Sequence, residues 1–201
     1  MRIAIAGAGR IGATLGKIWA GRGHEVVFTL SRDPTKLAQV AREAGGEAAE
    51  PPEAVRSAEV VLLAVPGGAV ADALGALGSL GGKVVIDATN YGGDGESSGA
   101  ENVAARSPGA RVVKAINTVF APIFPEAAAH PGRATMLIAG DDGDAKEIVA
   151  SLVRDLGFEP LDAGDLSAAG DLEAFARLAI ALAYRRGYGP FAYRFAKPAE
   201  L

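Results

Sequence analysis

Residues 1–36, MRIAIAGAGRIGATLGKIWAGRGHEVVFTLSRDPTK, decide the fold. Residues 2–6 form a short apolar strand pattern, and residues 25–30 form a second one that is rich in valine and phenylalanine. Between them, apolar side chains recur at helical spacing until glycines end the pattern. A strand, a glycine-rich turn, a helix and a second strand within about thirty residues are typical of a Rossmann-type βαβ unit.

The turn carries the pattern G-x-G-x-x-G at Gly7, Gly9 and Gly12. The first glycine permits a tight turn, the second lets the backbone approach a pyrophosphate, and the third lets the helix pack closely on the strand. The positive end of the helix favours an anion at the same place. Because the pattern lies between a strand and a helix, we predict a dinucleotide site. The alternative is a glycine-rich turn without a ligand.

The end of the second strand indicates which dinucleotide binds. NAD sites place an acidic residue there to hold the ribose hydroxyls. Here Ser31 and Arg32 follow the strand, and a hydroxyl and a guanidinium suit the 2′-phosphate of NADP(H). Lys36 adds a second cation, whereas Asp33 precedes a proline and is predicted to cap the next helix. The alternative is that Arg32 and Lys36 are a solvated surface pair.

The alternation of strands and helices continues along the chain. Further strands are predicted at 60–65, 84–87, 111–115, 134–139 and 158–162. Helices are predicted at 34–43, 52–57, 70–80, 148–156 and 167–186. This order predicts an α/β fold with a doubly wound, mainly parallel sheet. We expect one domain over residues 1–201, with a core of about 1–140, an extension of about 141–201 that ends in a helix, and a mobile Gly/Ser-rich loop at 90–99.

Two later strand ends point to the same crevice, because ligands of such folds bind beyond the carboxyl ends of the strands. The candidate cofactor-binding residues there are Ala64, Val65, Pro66, Ala88 and Asn90. The proline removes a backbone donor and bends the chain, which suits a wall beside the dinucleotide. The alternative for each residue is an ordinary turn at the end of a strand.

Two polar residues near the end of the 111–115 strand are candidates for chemistry. Lys114 could protonate a carbonyl or imine if burial tuned its pKa. The favoured alternative is a lysine whose stem is buried and whose amine reaches water. Asn117 could hydrogen-bond a carbonyl of the nicotinamide or of a second substrate, or it could be a turn residue.

Composition excludes several classes of function. The net charge of −4 offers no basic surface to nucleic acid or to an anionic membrane. The chain has no cysteine, and its two histidines, His24 and His130, are far apart, so we expect no metal site. No apolar run reaches the roughly 18 residues of a membrane span. Because the first residue leads directly into a strand pattern, we expect a cytoplasmic protein.

Four stretches resemble the NADPH:coenzyme F-420 oxidoreductase family, whose fold also appears in the cytoplasmic domains of STEAP-type metalloreductases. The first is residues 1–36, the second is VLLAVPGGAV at 61–70, and the third is VVKAINTV at 112–119. The fourth, residues 139–169, is the most specific, because GDD is followed by a helix pattern and then by LDAG-x-LS. Together the four stretches span most of the chain.

The resemblance implies hydride transfer between NADPH and coenzyme F-420, which is a deazaflavin, or a flavin-like acceptor. It implies that the pyrophosphate contacts Gly9, Arg10, Ile11 and Gly12. It implies that the 2′-phosphate is held by Ser31, Arg32 and Lys36. It also places four residues near the nicotinamide and the ring of the acceptor, namely Val65, Pro66, Ala115 and Asn117.

The sequence departs from the archaeal deazaflavin enzymes where the second ligand would bind. Gly67 stands in place of a large aromatic residue, and Asn117 replaces a histidine. Residues 87–90 replace a more apolar segment and are more similar to the metalloreductase version. Two other functions therefore stay open. One is an imine or β-hydroxyacid reductase that acts on a small substrate, and the other is a non-catalytic module that senses NADP(H).

The C-terminal region is more apolar than the surface of a monomer requires. Its final helix is followed by Phe191, Tyr193 and Phe195. We therefore predict a homodimer that uses this region. The alternative is that the region packs against its own sheet.

Overall fold

The computed structural model describes residues 1–90, 97–132 and 134–198. The strands are β1 (Arg2–Ala6), β2 (Glu25–Thr29), β3 (Glu47–Ala48), β4 (Val60–Leu63), β5 (Val84–Asp87), β6 (Arg111–Lys114), β7 (Ala134–Gly140) and β8 (Phe158–Asp162). The helices are α1 (Arg10–Gly21), α2 (Pro34–Ala44), α3 (Pro51–Ser57), α4 (Val70–Leu77), α5 (Gly99–Arg106), α6 (Ile123–Ala129), α7 (Gly143–Asp155) and α8 (Ala169–Ile180). The predicted loop at 90–99 lies mostly outside the described residues.

The strands form one sheet in the order β3-β2-β1-β4-β5-β6-β7-β8. Neighbouring strands are parallel except β6 and β7, which are antiparallel. From β1 the chain adds strands first on one side, as β2 and β3, and then on the other side, from β4 onward. The switch point between β1 and β4 is where such folds bind dinucleotides. The predicted doubly wound, mainly parallel sheet is confirmed.

Both faces of the sheet are covered, as the continuous apolar strands require. Because successive side chains of a strand point to opposite faces, Ile3 and Ile5 join one core cluster while Ala4 and Ala6 join the other. Trp19 lies fully buried in the first cluster, and its Nε1 donates to Leu152 O at 3.1 Å. This bond connects α1 in the core to α7 in the extension.

The extension is more closely integrated than an appendage. Strand β8 pairs with β7 over residues 134–138, so the extension continues the sheet. Helices α5 and α6, of eight and seven residues, are not among the predicted helices. The last helix is shorter than predicted, because α8 ends at Ile180 and one π-helical turn follows at Ala181–Arg185. None of the helices in the described ranges is long and apolar enough to cross a membrane.

The segment after α8 packs back on its own domain. The Tyr193 hydroxyl lies 2.5 Å from Thr118 Oγ1, and the Tyr193 ring meets that of Phe175 with centroids 4.8 Å apart. Phe191 stacks on Phe120 in a tilted arrangement at 5.5 Å. Packing on the same chain, the alternative to an interface, therefore accounts for much of this aromatic region.

Candidate dinucleotide site

The glycine turn between β1 and α1 has two glycines that packing requires and one that faces open space. Gly7 has φ of 115°, and a β-carbon there would lie 2.5 Å from Ala64 O. A β-carbon on Gly12 would collide with Gly7 O. A β-carbon on Gly9 would meet no atom within 4 Å. The backbone at Gly9 is therefore open to a ligand, as the sequence predicts.

Helix α1 begins at this turn without a capping side chain, since its N-cap is Gly9. The first intrahelical bond runs from Ala13 N to Gly9 O at 2.9 Å. The amides of residues 10–12 therefore have no acceptor within the helix. Free amides at the positive end of a 12-residue helix form a site for a pyrophosphate. Of the residues predicted to touch it, Arg10 is exposed, Ile11 is half-buried and Gly12 is buried.

The segment after β2 contains one residue that caps the next helix and two exposed cations. Asp33 Oδ1 accepts from Thr35 N at 2.9 Å and from Lys36 N at 3.2 Å, which confirms its role as helix cap. Arg32 and Lys36 are exposed, and across the residues described here neither forms an ion pair. Ser31 Oγ donates to Asp33 O at 2.9 Å, so a phosphate would have to take over that hydrogen bond.

The end of β4 borders the glycine turn directly. A β-carbon on Gly7 would lie 3.3 Å from Val65 Cγ1, in addition to its approach to Ala64. Ala64 and Val65 are half-buried, whereas Pro66 is exposed and precedes a short 3-10 turn at Gly67–Ala69. The predicted wall therefore lies beside the predicted pyrophosphate turn.

Two asparagines connect the ends of β5 and β6. Asn117 Nδ2 donates to Asn90 Oδ1 at 3.1 Å and to Leu172 O at 3.2 Å, while Asn90 Nδ2 donates to Asn117 O at 3.1 Å. A carbonyl only accepts hydrogen bonds, so the Asn117 nitrogen must face Leu172. Both of its hydrogens are then used. Asn117 is 7% exposed, and its Oδ1 has no partner in the described structure.

This arrangement corrects the expectation that Asn117 bonds a carbonyl. Its free atom is an acceptor that is itself buried, so Asn117 can receive a hydrogen bond from an N–H group of a ligand only when the neighbouring groups move aside. The carboxamide of a nicotinamide carries such a group.

The turn that carries Asn117 has an unfavourable backbone conformation. Ile116 has φ of 72°, and Asn117 N donates to Ala115 O at 2.8 Å across it. A γ-turn with positive φ is rare, and at a β-branched residue it costs on the order of 1–3 kcal/mol. The side chain of Ala115 is fully buried, so it does not line the crevice, contrary to the expectation. Ala88, at the neighbouring strand end, is half-buried.

Lys114 occupies a buried cluster of charges. Its Nζ lies 2.9 Å from Asp87 Oδ2, 2.7 Å from Glu173 Oε1 and 2.6 Å from Thr89 O. The Lys114 side chain has no exposed surface, so the expectation that its amine reaches water was wrong. An ammonium has three hydrogens, and all three have acceptors here. The geometry therefore argues against Lys114 as a proton donor to substrate.

Sequence reasoning missed Glu173 because it lies 59 residues from Lys114. One signal was available for the rest of the cluster. Asp87 and Lys114 are the last residues of adjacent parallel strands, and they are paired in register. Opposite charges at matched positions of two buried strands indicate an ion pair.

Buried polar atoms without a partner gather at this edge of the sheet. Within the described ranges they are Thr29 Oγ1, Thr89 Oγ1, Asn117 Oδ1 and Arg2 Nε. The first three lie at the carboxyl ends of β2, β5 and β6, and only the arginine is at the other end of the sheet. An unpaired buried polar atom costs about 1–3 kcal/mol, which a polar ligand can offset. The edge therefore fits a dinucleotide.

The parallel sheet, the glycine turn and the polar carboxyl edge define a Rossmann-type dinucleotide-binding protein. A family model described as NADP oxidoreductase, coenzyme F420-dependent, matches residues 2–91. The F420-dependent NADP reductase of Methanothermobacter thermautotrophicus is 34% identical in an alignment that covers 92% of this chain and 90% of that protein. The chain belongs to this family and is an NADP-dependent oxidoreductase.

Other similar proteins extend the comparison. Metalloreductase STEAP3 of Rattus norvegicus is 32% identical over 184 residues, and these cover 86% of this chain but 36% of that longer protein. The crystal structure of a candidate F420-dependent NADP reductase from Arthrobacter sp. FB24 matches with a TM-score of 0.88 and 28% identity, covering 98% of this chain and 100% of that one. A reductive aminase from Aspergillus terreus shares the fold, with a TM-score of 0.72, 22% identity and coverage of 94% and 62%.

Proposed function

We propose that this protein transfers a hydride between NADPH and a deazaflavin such as coenzyme F-420, or a flavin-like acceptor. The observation that carries the proposal is a contrast among the polar groups at the carboxyl ends of the parallel strands, which we call the carboxyl edge. The edge offers groups that bind a dinucleotide, while Lys114 has all three hydrogens engaged in the protein interior. Hydride transfer between two rings needs orientation and exclusion of water more than it needs a side-chain acid or base.

The residues at this edge divide into three groups of contacts. The amides of residues 10–12 hold the pyrophosphate, and Arg32 with Lys36 holds the 2′-phosphate. Asn117 Oδ1 accepts a hydrogen bond from the carboxamide of the nicotinamide. NADPH supplies the hydride when it is bound, and the chain supplies its orientation. The half-buried Val65 and the exposed Pro66 form one wall of the crevice.

The second substrate is proposed to bind beside Gly67, where this chain has a half-buried glycine in a short 3-10 turn. Because this glycine replaces the large aromatic residue of the archaeal enzymes, it does not by itself favour a deazaflavin over a flavin. Support for a deazaflavin comes from the Methanothermobacter relative, which is similar over nearly the whole chain.

The test is a panel of acceptors incubated with NADPH and, separately, with NADH. Coenzyme F-420, FMN, FAD, ferric chelates, and a ketone with an amine are each followed by absorbance of the nicotinamide. We expect NADPH oxidation with F-420 or a flavin, and slower oxidation of NADH. Turnover with the ketone and amine alone would identify an imine reductase. Tight NADPH binding without turnover on any acceptor would identify a sensing module.

We further propose that the protein forms a homodimer through α8 and the segment that follows it. Leu178 is 57% exposed and Tyr188 is 77% exposed, and Leu182 and Tyr184 are exposed as well. Exposed apolar side chains of this size in one region are typical of an interface. Analytical ultracentrifugation should show a dimer for the natural chain and a monomer for Leu178→Glu. A monomeric natural chain would contradict this proposal and leave the catalytic one unchanged.

A further inference from the structure

Two consecutive residues of helix α8 accept hydrogen bonds from side chains on either side of the strained Ile116, in the turn at 115–117. Leu172 O accepts from Asn117 Nδ2 at 3.2 Å, and Glu173 Oε1 accepts from Lys114 Nζ at 2.7 Å. Glu173 Oε1 also accepts from Gly99 N at 2.9 Å, at the first residue of α5. Glu173 is 4% exposed, so this carboxylate is committed to the interior. One helix therefore holds the end of β6 and the beginning of α5.

The turn at 115–117 depends on such contacts. A non-glycine residue with positive φ persists only where its surroundings over-determine it. Lys114 is held on one side by Asp87 and on the other by Glu173, while Asn117 is held by Leu172 O. Loss of the Glu173 contacts would leave β6 tied to β5, with the Asn117–Leu172 hydrogen bond as the remaining polar contact described here between this turn and α8.

The adenosine half of the site, here also called the adenosine side, does not depend on α8 as the turn at 115–117 does. It rests on residues 7–12 and 31–36, whose turn and cap contacts lie within β1, α1, β2 and α2 and at the end of β4. Across the described ranges, Glu173 forms hydrogen bonds only with Gly99 and Lys114, and neither residue belongs to the adenosine side. A change at Glu173 should therefore act on one side of the crevice.

We propose that Glu173 is a positioning residue that sets the nicotinamide half of the site through Lys114 and the turn at 115–117. The inference rests on the proposed binding of NADP(H). It assigns to the C-terminal extension a role in cofactor geometry, in addition to its role in completing the sheet. Glu173 touches neither the dinucleotide nor the substrate in this proposal.

The test compares two ligands by calorimetric titration of the full chain. NADP⁺ occupies both halves of the site, whereas 2′,5′-ADP occupies the adenosine half alone. For Glu173→Ala we expect the Kd of NADP⁺ to rise about tenfold, the effect of losing roughly one ligand hydrogen bond, with the Kd of 2′,5′-ADP within about twofold of the natural chain. Glu173→Gln retains the oxygen that accepts from both Lys114 and Gly99, so it should restore most of the NADP⁺ affinity. Asp171→Asn, an exposed acid of the same helix, is the matched control and should change neither Kd.

Equal losses of both ligands in Glu173→Ala, or no loss of either, would overturn the inference. If that variant fails to fold, Glu173→Asp decides the question, because it keeps the charge and withdraws the carboxylate by one methylene. An NADP⁺-selective loss in Glu173→Asp supports the inference, and its absence overturns it. A natural chain that binds neither ligand would overturn the proposed function itself, which separates the two failures.

Discussion

The two halves of the crevice are built in different ways. The adenosine half is local, since its glycine turn, its helix amides, its cap and its cations all lie within residues 7–36. The nicotinamide half is assembled from distant parts of the chain, because Lys114 lies 27 residues from Asp87 and 59 residues from Glu173. A site assembled at long range depends on how the last helix docks.

The largest expected effect is the loss of the buried cation. Lys114→Met would leave Asp87 and Glu173 as two buried carboxylates without their counter-ion. Breaking a buried pair in this way costs about 3–5 kcal/mol, and urea unfolding should show a loss of that size. Lys146→Met is the control, because it removes a partly exposed pair with Asp162 and should cost under about 1 kcal/mol. Equal stabilities of the two variants would contradict the importance of the buried cluster.

The second prediction concerns the adenosine half. Arg32→Ala should raise the Kd of NADPH about ten- to a hundredfold, because a charge-assisted contact with the 2′-phosphate is lost. The Kd of NADH should change little, since NADH lacks that phosphate. Arg22→Ala, at the far end of α1, is an exposed control that should bind both nucleotides as the natural chain does. An unchanged NADPH affinity in Arg32→Ala would remove this residue from the site.

The third prediction concerns the free acceptor atom of Asn117. The natural chain should prefer NADP⁺ to its 3-acetylpyridine analogue, which lacks the carboxamide N–H, by about two- to tenfold in Kd. Asn117→Ala should bind the two ligands with nearly equal affinity. Because each protein is compared with itself, a general loss of affinity does not affect this ratio. A preference that persists in Asn117→Ala would place the carboxamide elsewhere.

The smallest expected effect lies in the C-terminal segment. Burial raises the pKa of the Tyr193 phenol above its ordinary value of 10.0, although its bonds to Thr118 and to the backbone oppose this shift. The fold therefore favours the neutral phenol. Its contribution to stability is present below the unfolded pKa of about 10 and is lost as pH rises through the higher folded pKa.

Thermal unfolding of the natural chain should therefore show a fall in Tm above pH of about 10 that is smaller in Tyr193→Phe. Tyr188→Phe is the matched control, because Tyr188 is largely exposed and should leave the profile unchanged. Identical alkaline profiles for the natural chain and Tyr193→Phe would show that this phenol does not control the attachment of the segment.

The same contrast explains how much the sequence could predict. The glycine turn, the cap at Asp33 and the parallel sheet follow from short patterns, and the structure agrees with each of them. The full burial of Lys114 and the free oxygen of Asn117 do not follow, because the first depends on Glu173 and the second on Leu172, in a helix far along the chain. Residue type alone made an exposed lysine amine the better expectation. That expectation was wrong because Lys114 of β6 forms buried ion pairs with residues of β5 and α8.

The central claim is that this edge binds NADP(H) through its 2′-phosphate and presents the nicotinamide to a second ring. The most direct measurement is calorimetric titration of the natural chain with NADPH and with NADH under identical conditions. NADPH should bind at least about tenfold more tightly, which corresponds to roughly 1.4 kcal/mol from the phosphate contacts. Equal affinities for the two nucleotides would contradict the claim.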